Sequence, residues 1–89
     1  MGVETVLFKS EEQKSAGEVA ATLRQIADKI DAGTLTLKTG AEEIRIEFPE
    51  TMVLELKVEE EQGKKLKKSL EIELEWIVGE EPIRGAQIL

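Results

Sequence analysis

The most constraining feature of this chain is a strict two-residue alternation of apolar and charged side chains near its C-terminus. Between Leu70 and Trp76, an aliphatic or aromatic residue alternates with glutamate at every step. Successive side chains of a β-strand point to opposite faces, so this pattern predicts a strand with one buried and one solvated face. The same alternation recurs at residues 34–38, 43–48 and 52–58. The sequence therefore predicts four consecutive strands in an antiparallel meander.

A helix is predicted before these strands, and both of its ends are marked. Ser15 and Glu18 match the capping box, in which each side chain accepts from the backbone N–H of the other residue. Gly33 stands where a left-handed residue commonly ends a helix. Apolar residues recur between them at helical spacing and form one stripe: Val19, Leu23, Ile26, Ala27 and Ile30. We therefore expect a helix over residues 16–32.

A further strand is predicted at residues 3–9, which are rich in β-branched and aromatic side chains, with Val6 and Phe8 toward the core. The predicted fold class is then α+β: a two-layer, mainly antiparallel β-sheet with one amphipathic helix packed on one face, in the order β-α-β-β-β-β. The first strand pairs either antiparallel beside the last or parallel beside the second. We expect a single α+β domain over residues 1–78 and a C-terminal tail over residues 79–89.

Composition restricts the available chemistry. The 89 residues include no cysteine, histidine or tyrosine, which removes disulfides, zinc–thiolate sites and the commonest general base. The formal net charge is −7, from 19 acidic and 12 basic residues. Nucleic-acid backbones and anionic membranes attract basic surfaces, so we expect no nucleic-acid partner and no membrane association. The N-terminal residues lack a secretory pattern, which predicts a cytoplasmic location.

A row of glutamates on the last predicted strand could bind a divalent cation, since hard cations prefer carboxylate oxygens. Its members are Glu71, Glu73 and Glu75. Alternate residues on a strand lie about 6.6–6.8 Å apart, which is too far for all three to hold one ion without further ligands. We prefer the interpretation of a solvated face whose charges pair with Lys57 or Arg45 on other strands.

An acidic run before Gly63 could mimic a calcium loop: Glu59, Glu60 and Glu61. It lacks the aspartate spacing of an EF-hand, and Lys64 and Lys65 follow immediately. We interpret residues 59–65 as a long charged hairpin turn. The sequence thus predicts no catalytic residue, no cofactor-binding residue, no metal ligand and no cofactor.

The basic cluster that follows consists of Lys64, Lys65, Lys67 and Lys68. It could bind an anion or an acidic partner. Lysines at a sheet edge also hinder the addition of foreign strands, and this guarding role is the favoured interpretation. Lys68 falls on the apolar side by parity, which predicts a bulge or a strand that begins only at Ser69.

Trp76 is in phase with the apolar residues of the last strand, so we interpret it as a core residue rather than a platform for stacking a ligand. Val53 lies on the outward side of its predicted strand and is a candidate contact point for a partner. The apolar residues of the tail form a second candidate: Ile83, Ile88 and Leu89.

Taken together, these residues resemble a known family. A strand end at Phe8-Lys-Ser10 and a capping box precede the helix segment Leu23-Arg-Gln-Ile-Ala-Asp-Lys-Ile-Asp-Ala-Gly33. Amphipathic strands then close on Leu70-Glu-Ile-Glu-Leu-Glu-Trp76. The chain is similar to the amphi-Trp domain, a small prokaryotic domain, over residues 6–76. The resemblance implies the fold and supplies no catalytic residues, and it leaves the tail after Trp76 unexplained.

The leading functional hypothesis is a non-enzymatic protein-interaction module. Such a domain could bind an unknown protein partner or itself, by edge pairing or face packing, and a dimer is plausible. The alternative is a small-molecule or metal-ion binding domain with its site between helix and sheet. An enzyme that uses only carboxylates would need two acids in one cleft with pKa values shifted apart, and an open sheet face offers no such cleft.

Overall fold

The computed structural model describes residues 2–79, which contain one helix followed by four strands. In chain order these are α1 (Ala16–Ala32), β1 (Thr34–Thr39), β2 (Glu42–Glu47), β3 (Val53–Gln62) and β4 (Leu66–Glu75). β1 pairs with β2 and β3 pairs with β4, both antiparallel, in two separate sheets. The predicted α+β class, with a helix ahead of antiparallel strands, is confirmed.

The first predicted strand is wrong. Residues 3–9 carry no strand, so the order in the described chain is α-β-β-β-β rather than β-α-β-β-β-β. Val6 is 77% exposed and Phe8 is half-buried. Val6, Leu7 and Phe8 are consecutive apolar residues. The segment therefore lacks the period-two alternation that would direct one face of a strand toward a core.

The predicted four-strand meander is also wrong, because the strands form two hairpins instead of one sheet. Pro49 follows β2 closely in the chain. Proline has no backbone N–H and is confined to edges and ends of strands. Period-two alternation was correctly assigned in all four strands, but it does not select the strand beside which each one pairs.

The chain divides into two compact units, which we call the helical unit (Met1–Phe48) and the hairpin unit (Pro49–Leu89). The predicted single domain over residues 1–78 and tail over residues 79–89 stay predictions. The tail residues named as a candidate contact point lie outside the described residues: Ile83, Ile88 and Leu89.

In the helical unit, α1 begins and ends where the sequence predicts. The Ser15 Oγ accepts from the Glu18 backbone N–H at 3.2 Å, and Glu18 Oε1 accepts from the Ser15 N–H at 3.5 Å. Gly33 follows the last helical residue with φ 93°, and its N–H donates to the carbonyls of Lys29 and Ile30. The capping box and the left-handed C-terminal glycine are therefore both confirmed.

The β1–β2 hairpin of the same unit turns at Gly40, whose φ is 50°. Leu35 faces Ile46 and Leu37 faces Ile44, and these four side chains are half-buried. The helix packs against β1, and the helix residues Ile26 and Ile30 are half-buried. No side chain among residues 2–79 is fully buried, so the core of this unit consists of half-buried aliphatic groups.

In the hairpin unit, β3 and β4 pair without interruption from Val53–Glu75 to Gln62–Leu66. The long turn predicted over residues 59–65 is wrong, since only residues 63–65 connect the strands. The bulge predicted at Lys68 is wrong as well, because Lys68 lies directly opposite Glu60 in regular register. The Lys68 Nζ lies 3.4 Å from Glu60 Oε1. Opposite charges that face each other across two strands stabilise their pairing, so charged residues can extend β3 and β4.

Candidate functional site

The candidate site is the apolar face of the β3–β4 hairpin. Three aliphatic pairs lie directly across from one another on the two strands: Leu54–Leu74, Leu56–Ile72 and Val58–Leu70. Directly opposed residues of an antiparallel pair share a face, so the six side chains form one continuous patch. Below, "the apolar face" means these six residues.

Most of the apolar face is exposed. Leu56 is 64% exposed, Val58 is 74% exposed and Leu70 is 66% exposed. A two-stranded hairpin is marginally stable in water, and it needs further strands or a packed partner to persist. Contiguous exposed apolar patches typically mark interaction sites. This face therefore has the properties of a surface that becomes covered by another element.

The opposite side of the hairpin is charged and is organised around Lys57. The Lys57 Nζ lies 3.1 Å from Glu59 Oε1 and 3.4 Å from Glu71 Oε2. Hydrogen bonds to Glu59 and then to Glu71 raise the pKa of Lys57 above its usual value of 10.5. The predicted pairing of the glutamate row with Lys57 is confirmed for Glu71.

Arg45, the other predicted partner of that row, instead pairs within its own strand. Its Nη2 lies 3.8 Å from Glu47 Oε1. In residues 2–79, no group of three or more acidic residues is arranged to hold a metal ion.

One feature of the charged side is unfavourable within a single chain. Glu55 and Glu73 lie directly opposite each other, and like charges in that position destabilise a sheet. Neither carboxylate has an ion-pair partner among the described residues. Within residues 2–79, the hairpin thus carries a like-charge contact to which no ion pair is made.

The two remaining candidates lie at one end of the hairpin. Trp76 directly follows β4, in phase with the apolar face, and is half-buried rather than part of a fully buried core. Val53 is 60% exposed on the charged side, opposite Glu75. The predicted outward position of Val53 is confirmed.

A shallow, open depression lies beside the start of α1. It is lined by Ser10, Glu11, Glu12, Gln13, Lys14 and Thr22. The Lys14 Nζ already pairs with Glu12 Oε1 at 3.2 Å. Because the depression is open to solvent, it does not provide the water-excluded environment that strengthens electrostatic catalysis.

Sequence reasoning missed one property of β4, namely that its lysines and glutamates separate into opposite halves of a single strand. Lys67 and Lys68 lie in its first half, and Glu71, Glu73 and Glu75 lie in its second half. The sequence shows this order of lysines and then glutamates, but the turn predicted over residues 59–65 included two of the four lysines. Residues 2–79 contain no helix long and apolar enough to cross a membrane.

The geometry defines a class of small α+β protein in which a capped helix precedes two hairpins of amphipathic strands and a tryptophan follows the last strand. The chain matches the model of the Amphi-Trp domain over residues 1–88 and belongs to that family. The match extends beyond Trp76, so the tail left unexplained by the sequence resemblance is part of the family pattern. No curated protein and no solved structure matches the chain.

Proposed function

We propose that this chain is a non-enzymatic protein-interaction module that binds a second copy of itself through the β3–β4 hairpin. The observation that carries the proposal is the exposed apolar face, three aliphatic pairs long, on a hairpin of only two strands. Additional strands stabilise such a hairpin, and a second copy supplies strands of matching length and pattern.

Charge restricts where two copies can meet. A net charge of −7 makes two copies repel each other at long range, although about 0.15 M salt screens charges beyond roughly 8 Å. A contact surface therefore needs a local balance of charge. The segment from Lys64 to Glu75 has this balance, with four lysines and three glutamates. It supports β4 as the contacting element.

Sedimentation velocity across a range of protein concentrations tests the proposal on the full chain. We expect the mass to rise from one chain to two as concentration increases. Leu70→Thr removes an aliphatic group from the apolar face but keeps a β-branched strand former, and it should weaken association. Val53→Thr, on the charged side, is the matched control and should not.

A one-chain mass at every concentration would show that the proposal is wrong. Native mass spectrometry on the same samples detects bound small molecules. A reproducible small mass excess on a single chain would instead favour the ligand-binding or metal-binding alternative.

The proposal places the module in the cytoplasm of a prokaryotic cell, as the sequence analysis expects. Fractionation of the source cells, with an antibody against the chain, checks this location. Recovery with the membrane fraction would contradict it.

A further inference from the structure

β4 has a free edge among the described residues, because its sheet contains only β3 and β4. The charges along this strand and the turn before it are polarised. Lys64, Lys65 and Lys67 lie at the beginning, and Glu73 and Glu75 lie at the end. None of these five has an ion-pair partner within residues 2–79. An antiparallel copy of the same strand would place the basic end of one copy against the acidic end of the other.

We infer that two copies join by antiparallel pairing of β4 with β4 about a two-fold axis at Leu70, giving one four-stranded sheet. The inference rests on the proposed self-association and names its edge and register. A two-fold contact is closed, since both copies use the same edge, and it does not propagate into a fibre.

Two criteria select the register: which face of the sheet each side chain occupies, and which charges lie opposite each other. A shift by one residue would put the apolar face of one copy on the charged side of the other, so such registers are excluded. With Leu70 opposite Leu70 of the second copy, Lys67 faces Glu73 and Lys65 faces Glu75. On the other side of the sheet, Leu66 faces Leu74.

Neighbouring registers of the same parity are poorer. A two-fold axis at Ser69 directs Lys67 to Glu71, which already pairs with Lys57 at 3.4 Å. An axis at Glu71 places two copies of that glutamate opposite each other. The Leu70 register uses the charges of β4 that have no ion-pair partner within residues 2–79.

The free edge of β3 does not offer the same match. Its second half carries Glu59, Glu60 and Glu61, and its first half contains Glu55 and one lysine, Lys57, whose Nζ already pairs with Glu59 and Glu71. Antiparallel pairing of β3 with itself would therefore set most of its acidic residues against acidic or apolar ones, because this strand contains one lysine and four glutamates. Like charges directly opposite are destabilising, so charge favours the β4 edge.

The inference also accounts for the unfavourable Glu55–Glu73 contact and for the lysines at the edge. Glu73 gains Lys67 of the second copy as a partner in the paired sheet. Lysines on an edge ordinarily hinder strand addition, and here they would hinder strands that do not offer glutamate in the matching register. The lysines would thus disfavour pairing with unrelated strands and favour pairing with β4 of a second copy.

Disulfide trapping tests the register directly, because the natural chain contains no cysteine. Directly opposed Cα atoms in an antiparallel pair are about 4.5–5.5 Å apart, within the roughly 4.4–6.8 Å that a disulfide spans. Leu70→Cys should therefore form a covalent dimer on mild oxidation. Leu74→Cys is the control, since the two copies of that position would lie about 26 Å apart along the strands.

Charge reversal gives a second, independent test. Glu73→Lys removes the repulsion with Glu55 inside the chain but creates two lysine–lysine contacts between copies. We expect the dissociation constant of the dimer to rise about ten-fold, since several exposed charge contacts change sign together. The double variant Lys67→Glu with Glu73→Lys restores opposite charges between the copies. It sets a like charge opposite Glu61 within each chain, but this contact is present in the single copy and the dimer alike. The dissociation constant should therefore return to within about three-fold of that of the natural chain.

The outcomes separate the two proposals. Trapping at position 70 but not 74, with rescue in the double variant, supports the inferred register. A natural chain that dimerises while Leu70→Cys stays untrapped and Glu73→Lys has no effect would overturn the edge pairing and leave the self-association proposal standing. A natural chain that remains a single copy would overturn both.

Discussion

The helical unit and the hairpin unit use similar amphipathic strands but differ in how their apolar sides are covered. In the helical unit, α1 packs against β1, and Leu35, Leu37, Ile44 and Ile46 are half-buried. In the hairpin unit, a longer pair of strands leaves Leu56 and Val58 mostly exposed. The helical unit therefore covers apolar surface with its own helix, whereas the proposed function assigns the apolar face of the hairpin unit to association between copies.

The largest expected effect concerns the two sides of β3. Leu56 and Val53 are similarly exposed, at 64% and 60%, but lie on opposite sides of the strand. Leu56→Asn should destabilise the hairpin unit by about 2 kcal/mol, through lost burial and lower strand propensity. Val53→Asn should cost about 0.5 kcal/mol. Urea unfolding followed by Trp76 fluorescence measures both, and equal costs would contradict a special role for the apolar face.

The next effect concerns the glycines of the helical unit. Gly33 has φ 93°, so Gly33→Ala should destabilise this unit by about 1–2 kcal/mol, because a left-handed conformation strains residues that carry a Cβ. Gly17 lies inside α1, and a Cβ there would meet only the Ser15 Oγ at 4.0 Å. Gly17→Ala should stabilise the helix by about 0.5–1 kcal/mol. Circular dichroism melting compares the two variants, which should shift the melting temperature in opposite directions.

A smaller effect is expected at the N-terminal cap of α1. Ser15→Ala removes the acceptor for the Glu18 N–H and should cost about 1 kcal/mol. Ser15→Asp keeps an acceptor and should retain most of the stability. Amide hydrogen exchange at the start of α1 reports the change locally. Equal protection in the alanine variant and the natural chain would show that packing alone maintains the helix.

The smallest expected effect is a pH dependence in the hairpin unit. The folded-state pKa of Lys57 is raised above 10.5, so the ammonium stabilises the folded state. This contribution is fully present below about pH 10.5 and is lost as the pH rises through the raised pKa. Lys57→Arg keeps its charge at this pH and is the control. Thermal melting from pH 9 to 11.5 should show a decline in the natural chain that the arginine variant lacks.

Much of the fold was predictable because the signals are local. The ends of α1 follow from Ser15, Glu18 and Gly33, whose side chains or backbone act within one helical turn. The faces of the strands follow from period-two alternation. The errors arose where no local rule applies. Residues 3–9 have strand-forming composition without alternation. Residues 59–62 continue β3 opposite β4, where Glu60 forms an ion pair with Lys68.

The candidate site was predictable in part. The outward position of Val53 and the pairing of Lys57 with the glutamate row followed from parity and charge. The opposition of Glu55 and Glu73 did not, because it depends on the register of β3 against β4. That register also determines which lysines and glutamates of the hairpin lack an ion pair among the described residues.

The sequence by itself determined the helix, its caps and the apolar side of each strand, because capping and alternation act between residues close together in the chain. The tertiary structure decided which strands pair and in what register, and hence that within residues 2–79 the apolar face is exposed and the edge of β4 is unpaired. Strand pairing joins residues distant in sequence, and many pairings satisfy the same alternation. Their relative free energies are resolved only when the strands and their side chains come together.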